Sequence, residues 1–203
     1  MGLREVEGAL SQLPCLPLQS RMPLHLILGG ARSGKSRYAE TLALAARSPV
    51  TYIATARAGD AEMATRIATH RDRRPAAWRT VEASVELAAA LRGEAGPETV
   101  LVVDCLTLWL TNLLFDEQTR EPETGVIIPP PRFETQRAAL LEVLPTLPGT
   151  VICVSNEIGF GVVPMGALTR YFTDEMGRLN QAVAALAQQV TLTVAGLPLA
   201  LKQ

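Results

Sequence analysis

Aromatic side chains are scarce in this chain, 4% of 203 residues, and histidine is scarcer still, with only His25 and His70. Any chemistry that needs an imidazole therefore has two places to be. The three cysteines, Cys15, Cys105 and Cys153, lie far apart and form no C-x-x-C pair, which excludes a disulfide framework and a cysteine-ligated zinc site. Cys105 and Cys153 fall in apolar runs and read as small buried hydrophobes. Neither sign of charge is in excess: 19 Lys and Arg against 20 Asp and Glu leave a net charge of −1. No basic stripe suits nucleic acid, and no polybasic run suits an anionic membrane. No apolar run approaches the ~20 residues that cross a bilayer, so membrane insertion is not expected. Residues 1–21 carry acids early and two prolines, a poor secretory signal. The expectation is a cytoplasmic protein in which 1–21 is a loosely ordered N-terminal extension, Met22 is an alternative start, and 22–203 forms one domain.

Within that domain, short runs rich in β-branched residues alternate with helical patterns, the signature of a parallel sheet with crossover helices. Strands are expected at 24–28, 50–54, 100–104, 151–155 and 190–194, with a short antiparallel edge piece at 199–202 after the turn Ala195-Gly196-Leu197-Pro198. Helices are expected at 35–46, 61–73, 85–92, 106–115, 133–144 and 168–188. In the last, Leu168, Phe172, Met176, Leu179, Val183 and Leu186 recur at helical spacing and mark a core face. Residues 116–132 carry charges, then Ile128 and three prolines, and read as a loop or interaction segment inside the domain.

The stretch Gly29-Gly30-Ala31-Arg32-Ser33-Gly34-Lys35-Ser36 follows the apolar run 24–28 and precedes a helix. That is the setting a phosphate-binding P-loop requires. Its glycines let backbone N–H groups approach a polyphosphate, Lys35 supplies a point charge, and Ser36 offers a hydroxyl to Mg²⁺. The helix dipole favours the same anion. The ligand class is therefore a nucleoside triphosphate. The expected fold is α/β of the P-loop NTPase type: a mostly parallel sheet with flanking helices and an antiparallel edge strand.

Val100-Leu101-Val102-Val103-Asp104 is an apolar strand ending in a carboxylate, which in P-loop proteins lies near Mg²⁺ and nucleotide. On the helix 61–73, Glu62, Arg66 and His70 share a polar face, while Met63 and Ile67 on a neighbouring face are expected to bury. Arg71, Arg73 and Arg74 crowd the helix end. Such cations would keep the His70 ring neutral and nucleophilic. A solvated histidine at a basic helix end, charged by the helix dipole, fits the spacing as well. His25 alternates within a strand and reads as structural. Ser155-Asn156-Glu157 ends a strand ahead of Gly159-Phe160-Gly161, a position suited either to an acceptor substrate or to a plain turn.

Together the residues resemble one family, the bifunctional adenosylcobinamide kinase / adenosylcobinamide-phosphate guanylyltransferases of cobalamin biosynthesis. The resemblance runs from about Met22 to Lys202 and is carried by 29–37, Tyr52-Ile53-Ala54-Thr55-Ala56, 60–75, Trp78-Arg79-Thr80-Val81-Glu82, Thr111-Asn112-Leu113-Leu114, 155–159, 170–174, Gly177-Arg178 and Asn180-Gln181. It implies a homotrimer that phosphorylates adenosylcobinamide from ATP or GTP. The same enzyme then passes GMP from GTP to adenosylcobinamide phosphate, with Mg²⁺ as cofactor. It implies that His70 becomes guanylylated. It also implies that Gly30, Ala31, Arg32, Ser33, Gly34, Lys35, Ser36, Arg37, Ala54, Thr55, Ala56, Arg71, Asp72, Arg73, Arg74, Glu82 and Asp104 contact nucleotide. Ser36 and Asp104 are the expected Mg²⁺ contacts, Lys35 the catalytic cation, and Asn156 and Glu157 candidate acceptor contacts. The chain departs from the family at Thr69, where a second histidine often stands, and at Asp104, where glutamate can stand. Two other readings share the P-loop: a small-metabolite kinase with no covalent intermediate, and a GTP-binding regulatory module.

Overall fold

The computed structural model describes residues 24–72, 74–115 and 126–203, with the backbone alone at Arg66. The expectations for 1–21, for Arg73 and for most of the 116–132 loop lie outside the described residues. Seven strands form one sheet: β1 (Leu24–Gly29), β2 (Val50–Ala54), β3 (Arg79–Glu82), β4 (Val100–Asp104), β5 (Thr150–Asn156), β6 (Gln189–Val194) and β7 (Leu197–Lys202). Their order is β3-β2-β4-β5-β1-β6-β7. All neighbours run parallel except β6 and β7, as the alternation of strand and helix patterns predicts. The helices are α1 (Lys35–Ala45), α2 (Ala61–Asp72), α3 (Leu87–Glu94), α4 (Leu106–Leu114), α5 (Pro131–Val143) and α6 (Ala167–Leu186). None among the described residues is long and apolar enough to cross a membrane.

Both faces of the sheet are covered, which is why its central strands read as continuous apolar runs. All six residues of β1 are buried. Alternation along it sends Leu24, Leu26 and Leu28 into the larger core with α3, α4, α5 and α6, and Ile27 into the smaller one with Ala39 and Ala43 of α1. Trp109, fully buried on α4, satisfies its indole N–H on the Val85 carbonyl at 2.8 Å, so its large apolar surface is gained without stranding a donor.

α3 lies two residues later than expected, and three further differences have a plain physical reason. β3 is a strand that periodicity misses: in Arg79-Thr80-Val81-Glu82 only Val81 is apolar, because the strand lies at the sheet edge and is mostly exposed. The third proline of 129–131 does not belong to a loop. Pro131 opens α5 at its first position, where a missing N–H costs nothing and the fixed φ suits the helix. Arg132 is therefore helical too, and its guanidinium donates to the Asn112 and Leu113 carbonyls at the end of α4. β7 begins two residues earlier than expected, because Ala195 and Gly196 alone make the turn, both at positive φ.

His25 is structural, as its alternation suggests. It is buried between sheet and α1, with Nε2 2.8 Å from Thr191 Oγ1 and its ring edge-on to Tyr38. Burial holds its pKa down at about 4, against an ordinary 6.5. The folded chain thus keeps this ring neutral while the unfolded chain protonates it below about pH 6.5. The contribution is complete above that pH and is lost as pH falls toward 4, by up to about 3 kcal/mol. Urea midpoints measured at pH 7.5 and 5 will show this loss, and His25→Leu, though weaker at pH 7.5, will show a smaller one. Equal losses in the two proteins would remove His25 from the account.

Candidate nucleotide and transfer site

The C-terminal ends of β1, β2, β4 and β5 open onto one cleft of about 860 Å³, within the usual range for small-molecule sites. Its floor is the loop between β1 and α1. Gly29 ends β1 where a Cβ would stand 2.6 Å from the Thr193 carbonyl oxygen of β6 and 2.4 Å from Ser33 Oγ. Gly34 caps α1 at φ 96°, and a Cβ there would meet the Gly196 Cα at 3.0 Å. The loop is closed by Ser33 N–H to the Gly30 carbonyl (3.3 Å) and anchored by Gly196 N–H to the Ser33 carbonyl (2.8 Å). Lys35 Nζ donates to the Gly30 carbonyl at 3.0 Å, so its ammonium lies over the loop, where it would meet phosphate.

Of the residues singled out from sequence, Ala31, Arg32, Ser33, Gly34, Lys35, Ser36, Arg37, Ala54, Ala56, His70, Arg71, Arg74, Glu82, Asp104 and Asn156 line this cleft. Gly30, Thr55, Asp72 and Glu157 do not. Thr55 is fully buried and staples β2 to β4: its hydroxyl donates to the Cys105 carbonyl (2.7 Å) and accepts the Cys105 N–H (2.8 Å). Glu157 Oε1 accepts the Gly159 N–H at 2.9 Å, so this carboxylate shapes its own turn.

His70 is half-buried, and the face that carries it differs from expectation. Met63, Ile67 and His70 all line the cleft, at the i, i+4, i+7 spacing of one helical stripe. Met63 and Ile67 are only half-buried. The apolar side of α2 therefore looks into the cleft beside the imidazole. Met63 and Ile67, expected to bury on a neighbouring face, are thus half-buried on the cleft side.

Tyr52, Arg57, Thr80, Ser84, Cys105 and Leu108, to none of which the sequence gives a site role, line the cleft as well. Tyr52 donates its hydroxyl to Asp104 Oδ2 at 2.5 Å. Burial first, and then the Asp104 carboxylate, push the phenol pKa well above its ordinary value, so the proton stays on tyrosine. Burial first, and then Asp104, hold the Cys105 thiol up at about 11, which keeps it from serving as a thiolate near neutral pH. Arg71 and Glu82 pair at 3.3 Å but are both well exposed, so the pair adds little to stability and both groups are available to a ligand. Asn156 is fixed through its backbone: its N–H donates to Thr107 Oγ1 (2.8 Å) and its carbonyl accepts from Asn180 Nδ2 (3.0 Å). Its Oδ1 is buried without a partner among the described residues, the state of an acceptor that a ligand donor would satisfy. Beyond it, Phe160, Val162, Val163 and Met165 are exposed.

A family model described as cobinamide kinase / cobinamide phosphate guanyltransferase matches residues 25–201. The chain is 57% identical over 177 residues to the bifunctional adenosylcobalamin biosynthesis protein CobP of Pseudomonas aeruginosa, across 87% of this chain and 96% of that one. It is 41% identical over 179 residues to the bifunctional adenosylcobalamin biosynthesis protein CobU of Escherichia coli, and 40% identical over 179 residues to its Salmonella typhimurium counterpart. Each match takes 87% of this chain and 98% of the relative.

Gly29 is the residue the loop geometry makes irreplaceable, although it does not line the cleft. Gly29→Ala drives a Cβ against the Thr193 carbonyl, an overpacking that costs about 1–3 kcal/mol. Its melting temperature will fall, and titration with a fluorescent GTP analogue will show binding weakened at least about tenfold. Wild-type affinity in a folded Gly29→Ala protein would refute this account of the loop.

Proposed function

The chain belongs to the cobinamide kinase / cobinamide phosphate guanyltransferase family, and from that premise we propose that it phosphorylates adenosylcobinamide and then transfers GMP from GTP to adenosylcobinamide phosphate through guanylylated His70. The observation that carries this reading is the presence of His70 in the same cleft as Lys35, Ser36 and Asp104. A nucleophile and a triphosphate cradle that share one cavity need no second site to react.

In the guanylyl step a neutral His70 nitrogen attacks the α-phosphorus of GTP. The N–P bond forms as the bond to pyrophosphate breaks. Lys35 and the loop N–H groups stabilise the charge gathering on the departing pyrophosphate. A phosphate oxygen of adenosylcobinamide phosphate then attacks the same phosphorus. The N–P bond breaks, His70 is regenerated, and adenosylcobinamide-GDP leaves. In the kinase step the cobinamide hydroxyl attacks the γ-phosphorus of ATP or GTP directly; the O–P bond forms as the bond to the departing nucleoside diphosphate breaks, the hydroxyl proton passes to solvent, and the same cradle positions the donor. Arg71, Arg74 and, from its sequence position, Arg73 are suited to triphosphate oxygens. Glu82 and the ends of β2 and β4 are suited to the rest of the nucleotide.

The residues fit Mg²⁺. Among the described residues no cluster of three or more His, Cys, Asp or Glu gathers to cage a metal, and Mg²⁺ is held instead by one or two protein oxygens plus substrate phosphates. Ser36 and Asp104 are the hard oxygen donors on the cleft, and the ion there would offset charge on the triphosphate. We assign 22–203 to the catalytic domain, a homotrimer as its assembly and the cytoplasm as its place of work. We assign 156–164, which leaves the cleft at Asn156 and carries the exposed Phe160, Val162 and Val163, to the bulky corrinoid, held in a groove between subunits.

Incubation with Mg²⁺ and GTP bearing radioactive α-phosphate will label the protein with an acid-labile group. His70→Ala will lose the label and at least about a thousandfold of guanylyl transfer, yet still phosphorylate adenosylcobinamide. An undiminished acid-labile label on His70→Ala would sink the assignment. Separately, Phe160→Ser with Val162→Ser will weaken corrinoid binding roughly tenfold while GTP affinity stays constant. Unchanged corrinoid affinity would dismiss this loop as its dock.

A further inference from the structure

Asp104 does not stand alone at the end of β4. Two residues before β2 ends, Tyr52 is 1% exposed, and its hydroxyl reaches across the sheet to Asp104 Oδ2 at 2.5 Å. That length belongs to charge-assisted O–H···O⁻ bonds, roughly twice as strong as neutral ones. The phenol ring is itself held. The Arg74 guanidinium carbon lies 3.4 Å from the ring centroid, and Trp78 stacks on it with centroids 6.5 Å apart and planes 28° from parallel. Arg74 Nε is buried and has no hydrogen-bond partner among the described residues, so the aromatic face contributes directly to holding this guanidinium. Arg74 and Trp78 thus both hold the Tyr52 ring, whose hydroxyl ends on the Asp104 carboxylate. Tyr52 is the only side chain among the described residues that hydrogen-bonds to that carboxylate. It engages Oδ2 of a carboxylate that lines the cleft.

We propose that Tyr52 is a positioning residue of the transferase, which fixes Asp104 in the orientation that presents Oδ1 to the nucleotide-bound divalent cation. The inference rests on the assignment of Asp104 as a cation contact, made above. A carboxylate at a strand end has two rotatable bonds and swings freely unless something outside it restrains them. Outer partners that orient a metal ligand are worth about 10–100-fold in metal affinity. Tyr52 touches neither phosphate nor cation in this role; it acts through Asp104 alone.

Tyr52→Phe tests this cleanly, because it keeps the ring, its stacking on Trp78 and its contact with Arg74, and removes only the hydroxyl. The probe is Mn²⁺, followed by electron paramagnetic resonance, in the complex with a GTP analogue whose α–β bridge is methylene and cannot turn over. Tyr52→Phe will bind Mn²⁺ at least tenfold more weakly, while the analogue's own affinity in EDTA stays within twofold of wild type. Asp104→Asn will lose Mn²⁺ affinity as well, and Tyr52→Phe combined with Asp104→Asn will be no weaker than Asp104→Asn alone. Melting curves verify that each variant is folded. If Tyr52→Phe keeps wild-type Mn²⁺ affinity while Asp104→Asn loses it, the positioning role of Tyr52 is wrong and the cation assignment survives. If Asp104→Asn itself binds Mn²⁺ normally, the cation assignment fails and takes the proposal with it. Additive losses in the double variant would show that Tyr52 acts by a route other than Asp104, which also overturns it.

Discussion

The close approach of the P-loop to the end of β6 is the constraint on which the site depends. Gly29 has room for no side chain because the Thr193 carbonyl occupies that space, and Gly34 lies against the backbone of Gly196. The Gly196 N–H closes this contact by donating to Ser33. The loop's shape is therefore dictated from beneath, by the β6–β7 turn, and not by the ligand it receives. Preorganised backbone donors of this kind need little rearrangement at the moment of reaction, which is the source of their catalytic value. The carboxyl ends of four parallel strands then meet at one edge of the sheet, where ligands of open α/β sheets bind.

Around this floor, the walls are set by side chains whose job is structural. Thr55 ties β2 to β4, Asn180 holds the Ser155 hydroxyl and the Asn156 carbonyl, and Asn112 Nδ2 donates to the carbonyls of Thr55 (2.8 Å) and Ser84 (3.0 Å). Each is a buried or half-buried polar group, and apart from the Ser155 hydroxyl its partners are backbone atoms at or just beyond strand ends. Loss of any one would strand a donor or acceptor beside the cleft, at a cost of about 1–3 kcal/mol, and would blur the spacing between the β1–α1 loop and His70.

Much of this was legible in the chain itself. The apolar runs of β1, β4 and β5 announce a sheet buried on both faces, and the glycine-lysine-serine loop announces its ligand. What escaped notice did so for physical reasons. β3 has one apolar residue because an exposed edge strand is selected by its pairing with β2 and not by burial. Pro131 reads as a breaker until its place at the first turn of α5 is known. Tyr52 looks like any apolar strand residue, since a hydroxyl's target two strand positions away is invisible without the register that pairs Ala54 with Asp104. Met63 and Ile67 were assigned to the core because amphipathic helices ordinarily seat their greasy side there.

That last exception has a consequence of its own. α2 has no fully buried residue among those described, and its apolar stripe, Met63 and Ile67, lines the cleft. A ligand seated against Met63 and Ile67 would bury apolar surface that the helix leaves half-exposed. Ligand and helix would then stabilise each other by mutual linkage, and the segment that carries His70 would be held most firmly with the cleft occupied.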